Sequence, residues 1–109
     1  MSSIDFSPWF DVDQLALDGL PAVVFVYQVK TASRLVTYPS GRSAMLFYGQ
    51  GAADEALFET VRVLRLRYPD DRLRLRFRPI LDASNELNRL LARFEARFGS
   101  LPEANQTPA

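Results

Sequence analysis

The sequence predicts an α+β domain in which a mostly antiparallel sheet packs against two amphipathic helices. Three observations lead to this prediction. The first half contains strand-length apolar runs separated by short turns, the second half contains two long segments with helical periodicity, and a strictly alternating segment lies between those two. The chain has 109 residues, which is the length of one domain with a single hydrophobic core.

The first predicted element is a short helix that begins at Ser7. Serine is a good helix cap, and Pro8 fits the first turn of a helix. Trp9 and Val12 stand at helical spacing, and the segment Asp-Gly-Leu-Pro at 18–21 ends the run. We therefore expect a short acidic helix ahead of the sheet.

Three strands are predicted next, at 22–30, 34–38 and 43–48. The first is rich in β-branched and aromatic residues, which is typical of a buried strand. Only a few residues separate each run from the next, so consecutive strands are expected to pair as antiparallel neighbours. The prediction is a three-strand antiparallel meander.

Two amphipathic helices are predicted on either side of a fourth strand. The first helix covers 54–68. The second begins at Asp82 or Ser84 and ends at Gly99, because glycine suits the residue that follows a helix. The apolar seams of the two helices comprise Leu57, Phe58, Val61, Leu64 and Tyr68 in the first, and Leu87, Leu90, Leu91, Phe94 and Phe98 in the second.

The fourth strand, at 72–78, alternates arginine with leucine or phenylalanine. Residues two apart in a strand face the same side, so one side of the sheet is predicted to carry four guanidinium groups about 6.6 Å apart. Successive phosphates of a nucleic acid have a similar spacing. The alternative is an outward strand face whose charges pair with neighbouring carboxylates. The four cationic residues are Arg72, Arg74, Arg76 and Arg78.

Charge is unevenly distributed along the chain. Thirteen basic residues balance thirteen acidic ones, yet residues 1–59 carry a net charge of −4 and residues 60–109 a net charge of +4. The last helix adds an arginine stripe at positions i, i+4 and i+8. We therefore predict a nucleic acid or an acidic protein surface as the partner, with a homo-oligomer as a further possibility. The predicted binding residues are Arg72, Arg74, Arg76, Arg78, Arg89, Arg93 and Arg97.

Composition excludes several kinds of chemistry. The chain has no cysteine and no histidine, which excludes disulfides, thiol nucleophiles, histidine relays and zinc sites built on those ligands. No cofactor is predicted. No apolar run approaches the length of a membrane span and no signal peptide is present, so we predict a cytoplasmic protein without membrane contact. The predicted domain covers 1–104, and 105–109 is a flexible tail.

Short motifs resemble those of the GIY-YIG nuclease domain, a small α/β fold that acts on DNA. Phe-Val-Tyr at 25–27 is similar to the first motif of that family, Phe-Tyr-Gly-Gln at 47–50 to the second, and Pro-Glu-Ala-Asn at 102–105 to its closing Pro-x-x-Asn. The resemblance spans nearly the whole chain. It implies a magnesium-dependent, structure-selective endonuclease with the catalytic residues Tyr27, Tyr48 and Glu86.

The chain departs from the family pattern at residues that carry the chemistry. Phe25 replaces the glycine of the first motif, and Phe47 replaces the tyrosine of the second. Leu57 stands where the family has its helix arginine, and Leu87 where it has its metal-binding glutamate, with Glu86 one position away. Such nucleases need those groups to hold magnesium and to stabilise charge on the phosphate. The resemblance therefore implies a retained fold with catalysis lost.

Three functions are left open at this point. The leading one is a small non-catalytic protein that binds an anionic partner through its arginine-rich C-terminal half. The second is the endonuclease, which would make the chain an enzyme. The third is a structural accessory subunit in which the acidic N-terminal helix neutralises the arginine strand through Asp5, Asp11, Asp13 and Asp18.

Overall fold

A four-stranded antiparallel sheet forms the centre of the structure, a computed structural model that describes residues 6–106. The predicted α+β fold is confirmed. Strands and helices are numbered here in chain order. Across the sheet, the strands are β1 (Phe10–Asp11), β6 (Leu73–Pro79), β2 (Phe25–Thr31) and β5 (Met45–Gly51).

The central strand β2 is paired along its whole length on both sides. Phe25 lies opposite Gly51 of β5 and Pro79 of β6. The register with β6 continues unbroken to Thr31, whereas the register with β5 shifts between Val29 and Lys30. Every residue of β2 except Lys30 is buried. This position explains the nearly continuous apolar run in the sequence, because a strand covered on both faces has no solvent side.

The two predicted helices are confirmed, and they lie on opposite faces of the sheet. Helix α1 (Glu55–Arg67) lies on the face that carries Tyr27, with Thr60 of α1 near the Tyr27 hydroxyl. Helix α2 (Ala83–Phe98) covers the other face, where the ring of Phe94 lies 5.7 Å from that of Tyr48.

Local signals set the ends of both helices. The carboxylate of Asp54 accepts a hydrogen bond from the Leu57 N–H, and that of Asp82 accepts one from Asn85, so each helix has an acidic N-cap. Gly99 follows α2 with φ +86°, a left-handed conformation that glycine adopts without steric cost.

The predicted three-strand meander is wrong. The middle segment forms a separate hairpin, β3 (Val36–Tyr38) with β4 (Gly41–Ser43), and does not pair with β2. Both edges of β2 are taken by seven-residue strands, which bury far more surface than a three-residue strand does. The hairpin packs instead against the end of α2, with the ring of Tyr38 5.0 Å from that of Phe94.

The predicted N-terminal helix is also wrong. The segment contains the two-residue strand β1 and two 3-10 turns, Val12–Gln14 and Leu17–Gly19. Phe10 pairs with β6 and packs edge-on against Phe77, with 6.2 Å between ring centroids. These tertiary contacts outweigh the helical spacing of the apolar residues, because intrinsic helix propensity is a weak preference.

The C-terminal segment is held to the sheet at the edge of β5. Asn105 lies in a 3-10 turn (Glu103–Asn105), and its carboxamide donates to the Tyr48 carbonyl at 2.9 Å and accepts from the Tyr48 N–H at 2.8 Å. Gln106 donates to the Leu101 carbonyl at 2.9 Å. The first two residues of the predicted tail are therefore anchored, and 107–109 lie outside the described residues. No helix within residues 6–106 is long and apolar enough to cross a membrane.

Replacing Asn105 by alanine is expected to destabilise the fold by about 1 to 3 kcal/mol, because two polar groups of β5 lose their partner. Urea unfolding followed by circular dichroism measures this change. Asn88→Ala is the matched control, since Asn88 is exposed on α2. Equal midpoints for the two variants would show that the edge contact contributes nothing.

Asp71→Asn is expected to lower stability at neutral pH but not in acid. Asp71 is 8% exposed and accepts hydrogen bonds from Arg34 and Thr31. The Arg34 hydrogen bond lowers the pKa of Asp71 below its ordinary value of 3.8. A lowered pKa stabilises the fold above that ordinary value, and the contribution is lost as the pH falls through the folded-state pKa.

Urea midpoints at neutral pH and at about pH 2 test this expectation. Asp70→Asn is the matched control, because it removes the same charge from the exposed neighbouring residue. A loss of stability from Asp71→Asn that is equal at both pH values would contradict the role assigned to the carboxylate.

Candidate anion-binding surface

The strand register places the basic residues of β2 and β6 on one side of the sheet. Lys30 lies opposite Arg74, Gln28 opposite Arg76 and Val26 opposite Arg78. Residues directly opposite each other in neighbouring strands share a face. We call this side, with Arg72 just ahead of β6, the arginine face: it comprises Lys30, Arg72, Arg74, Arg76 and Arg78.

Carboxylates neutralise the two ends of the arginine face. At one end, Arg72 donates two hydrogen bonds to Asp11, the shorter at 2.9 Å, and this contact lowers the pKa of Asp11. At the other end, Arg78 donates to Glu86 of α2, which also accepts a hydrogen bond from the Arg89 Nε atom at 3.1 Å. The Glu86 side chain is only 7% exposed. A carboxylate so buried needs counter-charges to offset its lost hydration, and the two guanidinium groups supply them.

In the middle of the arginine face, no carboxylate of residues 6–106 forms a hydrogen bond with a guanidinium group. Arg76 donates to the Gln28 side-chain oxygen at 2.6 Å and, among residues 6–106, has no carboxylate within 4 Å. Burial lowers the pKa of Arg76. Arg74 lies 3.8 Å from its nearest carboxylate oxygen, on Asp11. Its Nε atom is buried and has no hydrogen-bond acceptor within the described part of the chain.

Residues 6–11, which we call the N-terminal strap, cover part of the arginine face. The guanidinium carbon of Arg76 lies 4.5 Å from the ring centroids of both Phe6 and Trp9, and the Lys30 ammonium lies 4.3 Å from the Trp9 ring. These are cation–π contacts, which favour a desolvated cation. Ser7 adds backbone pairing, because its N–H donates to the Phe77 carbonyl at 2.8 Å.

The arginine stripe of α2 adjoins this surface. Arg93 and Arg97 are exposed, and the Arg89 side chain is 65% exposed. Burial raises the pKa of Tyr48 to about 12, while the charges of Arg76 and Arg93 oppose that rise. Both guanidinium groups therefore act on the same hydroxyl. The cationic surface extends from β6 across the sheet to one side of α2.

The structure does not bring Tyr27, Tyr48 and Glu86 into one site. Tyr27 is paired with Gly49, and Gln28 with Tyr48, so the two tyrosines face opposite sides of the sheet. Burial raises the pKa of Tyr27 to about 12. Glu86 is engaged by two arginines on the side of Tyr48. Residues 6–106 contain no group of three acidic, histidine or cysteine side chains that could hold a metal ion.

Gly49 explains how the Tyr27 ring fits against the neighbouring strand. A Cβ atom at this position would lie 2.5 Å from the Tyr27 Cζ atom, far inside van der Waals contact. The glycine after Tyr48 is therefore required for packing on the α1 side of the sheet.

The sequence reasoning missed four residues of this surface: Phe6, Trp9, Gln28 and Lys30. Gln28 and Lys30 carried a usable signal, because they are polar residues two apart in an otherwise apolar strand. Trp9 carried a weaker signal, since its helical spacing with Val12 suggested a helix, and Phe6 lies just before that predicted helix.

Glu86→Gln is expected to destabilise the fold by about 3 kcal/mol, because it leaves two arginines facing a neutral group at a largely buried position. Glu59→Gln is the matched control: Glu59 forms an exposed pair with Arg62, and such pairs contribute about 0 to 1 kcal/mol. Thermal and urea unfolding of both variants measure the difference. Equal losses of unfolding free energy in the two variants would show that the buried Glu86 contacts stabilise the fold no more than an exposed ion pair does.

Comparison with known proteins identifies no relative of this chain. No family model, no curated protein and no solved structure matches the chain.

Proposed function

We propose that the protein binds an anionic partner, a nucleic acid or an acidic protein surface, without catalysis. The partner contacts the arginine face and the adjoining side of α2. The observation that carries the proposal is the charge balance of the arginine face. Five cationic side chains lie there, and within residues 6–106 only Asp11 and Glu86 place carboxylates within 4 Å of them.

An anionic partner would relieve a cost that the isolated protein bears. A buried polar nitrogen without an acceptor costs about 1 to 3 kcal/mol, and more when it belongs to a charged group. The Nε atom of Arg74 is such a group as far as residues 6–106 are concerned. A carboxylate or phosphate from outside could accept from it, and guanidinium groups bind both anions with two parallel hydrogen bonds.

The seven predicted arginines are expected to contribute unequally. Arg72 and Arg78 are each paired with a carboxylate in the same chain, so they mainly stabilise the fold. Arg74 lies 3.8 Å from Asp11 but has no hydrogen bond to it, and Arg93 and Arg97 are exposed with no carboxylate within 4 Å among residues 6–106. These three are expected to contact the partner first.

The nuclease alternative gains no support from a shared site, because Tyr27 and Tyr48 lie on opposite faces of the sheet. The resemblance to the GIY-YIG domain and the magnesium dependence it implies stay predictions. The accessory-subunit alternative is favoured by one contact, the Asp11–Arg72 pair, in which the N-terminal segment neutralises an arginine of the same chain. A cytoplasmic location and a homo-oligomer also remain predictions. A chain without cysteine suits a reducing compartment.

The double variant Arg93→Gln/Arg97→Gln is expected to weaken binding of a labelled oligothymidylate of about 15 nucleotides. Affinity at low salt falls about tenfold, and the slope of log K against log salt decreases by about 1.4, because two phosphate contacts are lost. Fluorescence anisotropy over a salt series measures both quantities. Arg62→Gln/Arg67→Gln on α1 is the matched control, with the same charge change on exposed residues of the other helix.

The same titrations with labelled poly-glutamate distinguish the two partner classes. Tight binding of poly-glutamate, with weak binding of the oligonucleotide, identifies an acidic protein surface. If wild-type protein binds neither polymer at low salt, the proposed function is wrong. It is equally wrong if the α1 control loses as much affinity as the α2 variant.

A further inference from the structure

We infer that the arginine face is a docking site for an extended segment of a partner protein that carries an aromatic residue followed by two carboxylates at alternate positions. The inference rests on the proposed function and names the class of its partner. The N-terminal strap occupies this site in the same chain as a resident stand-in for that segment.

The contacts of the strap show which side chains the site accepts. In an extended segment, every second residue faces the same side. Trp9 lies against Arg76, and Asp11 pairs with Arg72 and stands opposite Arg74 in the register. Phe10, between them, points to the other side and packs against the core. The site therefore holds an aromatic ring and a carboxylate two residues apart.

The backbone of β6 offers an edge that can pair with such a segment. β1 covers this edge with only two residues, Phe10 and Asp11. Ser7 adds a contact further along, where it both donates to and accepts from the backbone of Phe77. Adding an extended peptide to a sheet edge is a common recognition mode, in which main-chain hydrogen bonds supply affinity and side-chain contacts supply specificity.

The strap fills the site incompletely. Antiparallel continuation of β1 would place position 13 opposite Arg72 and leave Asp11 to neutralise Arg74. The chain instead enters a 3-10 turn at Val12, and Asp13 pairs with Arg65 of α1 at 2.7 Å. One carboxylate is thus shared by two arginines of the arginine face.

A segment from a partner does not have to turn at the position where the strap enters its 3-10 turn. If it stays extended, its first carboxylate accepts from Arg74 and its second from Arg72, which satisfies the buried nitrogen that the strap leaves without an acceptor. The strap has the advantage of attachment, because a tethered segment acts at an effective concentration of about a millimolar. The additional charge-assisted hydrogen bonds are what allow a partner to displace it.

Trp9 reports displacement directly, because it is the only tryptophan in the chain. The experiment titrates the full-length wild-type protein with the synthetic peptide Phe-Ser-Pro-Tyr-Phe-Glu-Val-Glu, which contains no tryptophan. Tryptophan is excited selectively. The expected result is a saturable shift of the emission to longer wavelength, with increased quenching by acrylamide, as Trp9 leaves the guanidinium of Arg76 and enters water.

Two control peptides separate the contributions of charge and aromatic contact. In one, both glutamates are replaced by glutamine; in the other, the tyrosine is replaced by alanine. Each is expected to bind about tenfold more weakly, which corresponds to about 1.4 kcal/mol. Equal binding of the glutamine peptide would overturn the inference.

Two protein variants locate the site. Arg74→Gln is expected to weaken the glutamate peptide about tenfold. Arg67→Gln, the matched control at an exposed position of α1 on the opposite face of the sheet, leaves peptide binding unchanged. Both variants are shown to be folded by circular dichroism and by a tryptophan emission spectrum that, without peptide, matches that of the wild-type protein. Peptide binding that is insensitive to Arg74→Gln would place the contact elsewhere and overturn the inference.

The outcomes distinguish this inference from the proposed function. If oligothymidylate or poly-glutamate binds but the peptide leaves Trp9 emission unchanged, the proposed function stands and the docking site is wrong. If oligothymidylate displaces Trp9 and the peptide does not, the occupant is a nucleic acid and the inference is wrong. If no probe binds, both fail.

Discussion

The pairing of β2 with β6 is the contact on which the rest of the structure depends. Its register aligns Tyr27 and Val29 with Phe77 and Leu75 on one side, and Gln28 and Lys30 with Arg76 and Arg74 on the other. The apolar side requires a hydrophobic cover, which α1 provides. The cationic side requires hydrogen-bond acceptors and counter-charges, which come from Asp11 at one end and from Glu86 at the other. One alternating strand thus creates two surfaces with opposite requirements.

The two free edges of the sheet are closed by different means. At β5, a single carboxamide satisfies both backbone groups of Tyr48, which prevents another strand from pairing at that residue. At β6, the strap contributes a ladder of two residues, and its aromatic rings remain half-buried. Few backbone hydrogen bonds and partial burial are typical of segments that open at low free-energy cost. The C-terminal closure therefore serves stability, whereas the N-terminal one lies at the edge where we propose that a partner competes.

Charge placement follows the same division. The carboxylates of the arginine face lie at its ends, where they tie α2 and the N-terminal segment to the sheet. Its centre is supported by a neutral amide, by aromatic rings and by a carboxylate 3.8 Å away. An arrangement optimised for stability alone would place an acid beside each buried guanidinium, because an unpaired buried charge is costly. The departure from that arrangement is the reason that we propose binding at this surface.

Local chemistry determined the helices from the sequence alone: the caps at Asp54 and Asp82, the glycine at position 99 and the apolar seams all act within a few residues. The alternation over 72–78 likewise determined that one strand would separate a core side from a cationic side. Only the tertiary structure decided which strands pair, that the segment at 34–38 leaves the main sheet, and that residues 6–11 lie on β6. It also decided that Tyr27 and Tyr48 face opposite ways, because a shift of register by one residue reverses the face of every side chain and sequence spacing does not specify register. Which distant segments pair depends on the total surface that each possible pairing buries. That total depends on contacts across the whole folded chain and cannot be read from any one segment.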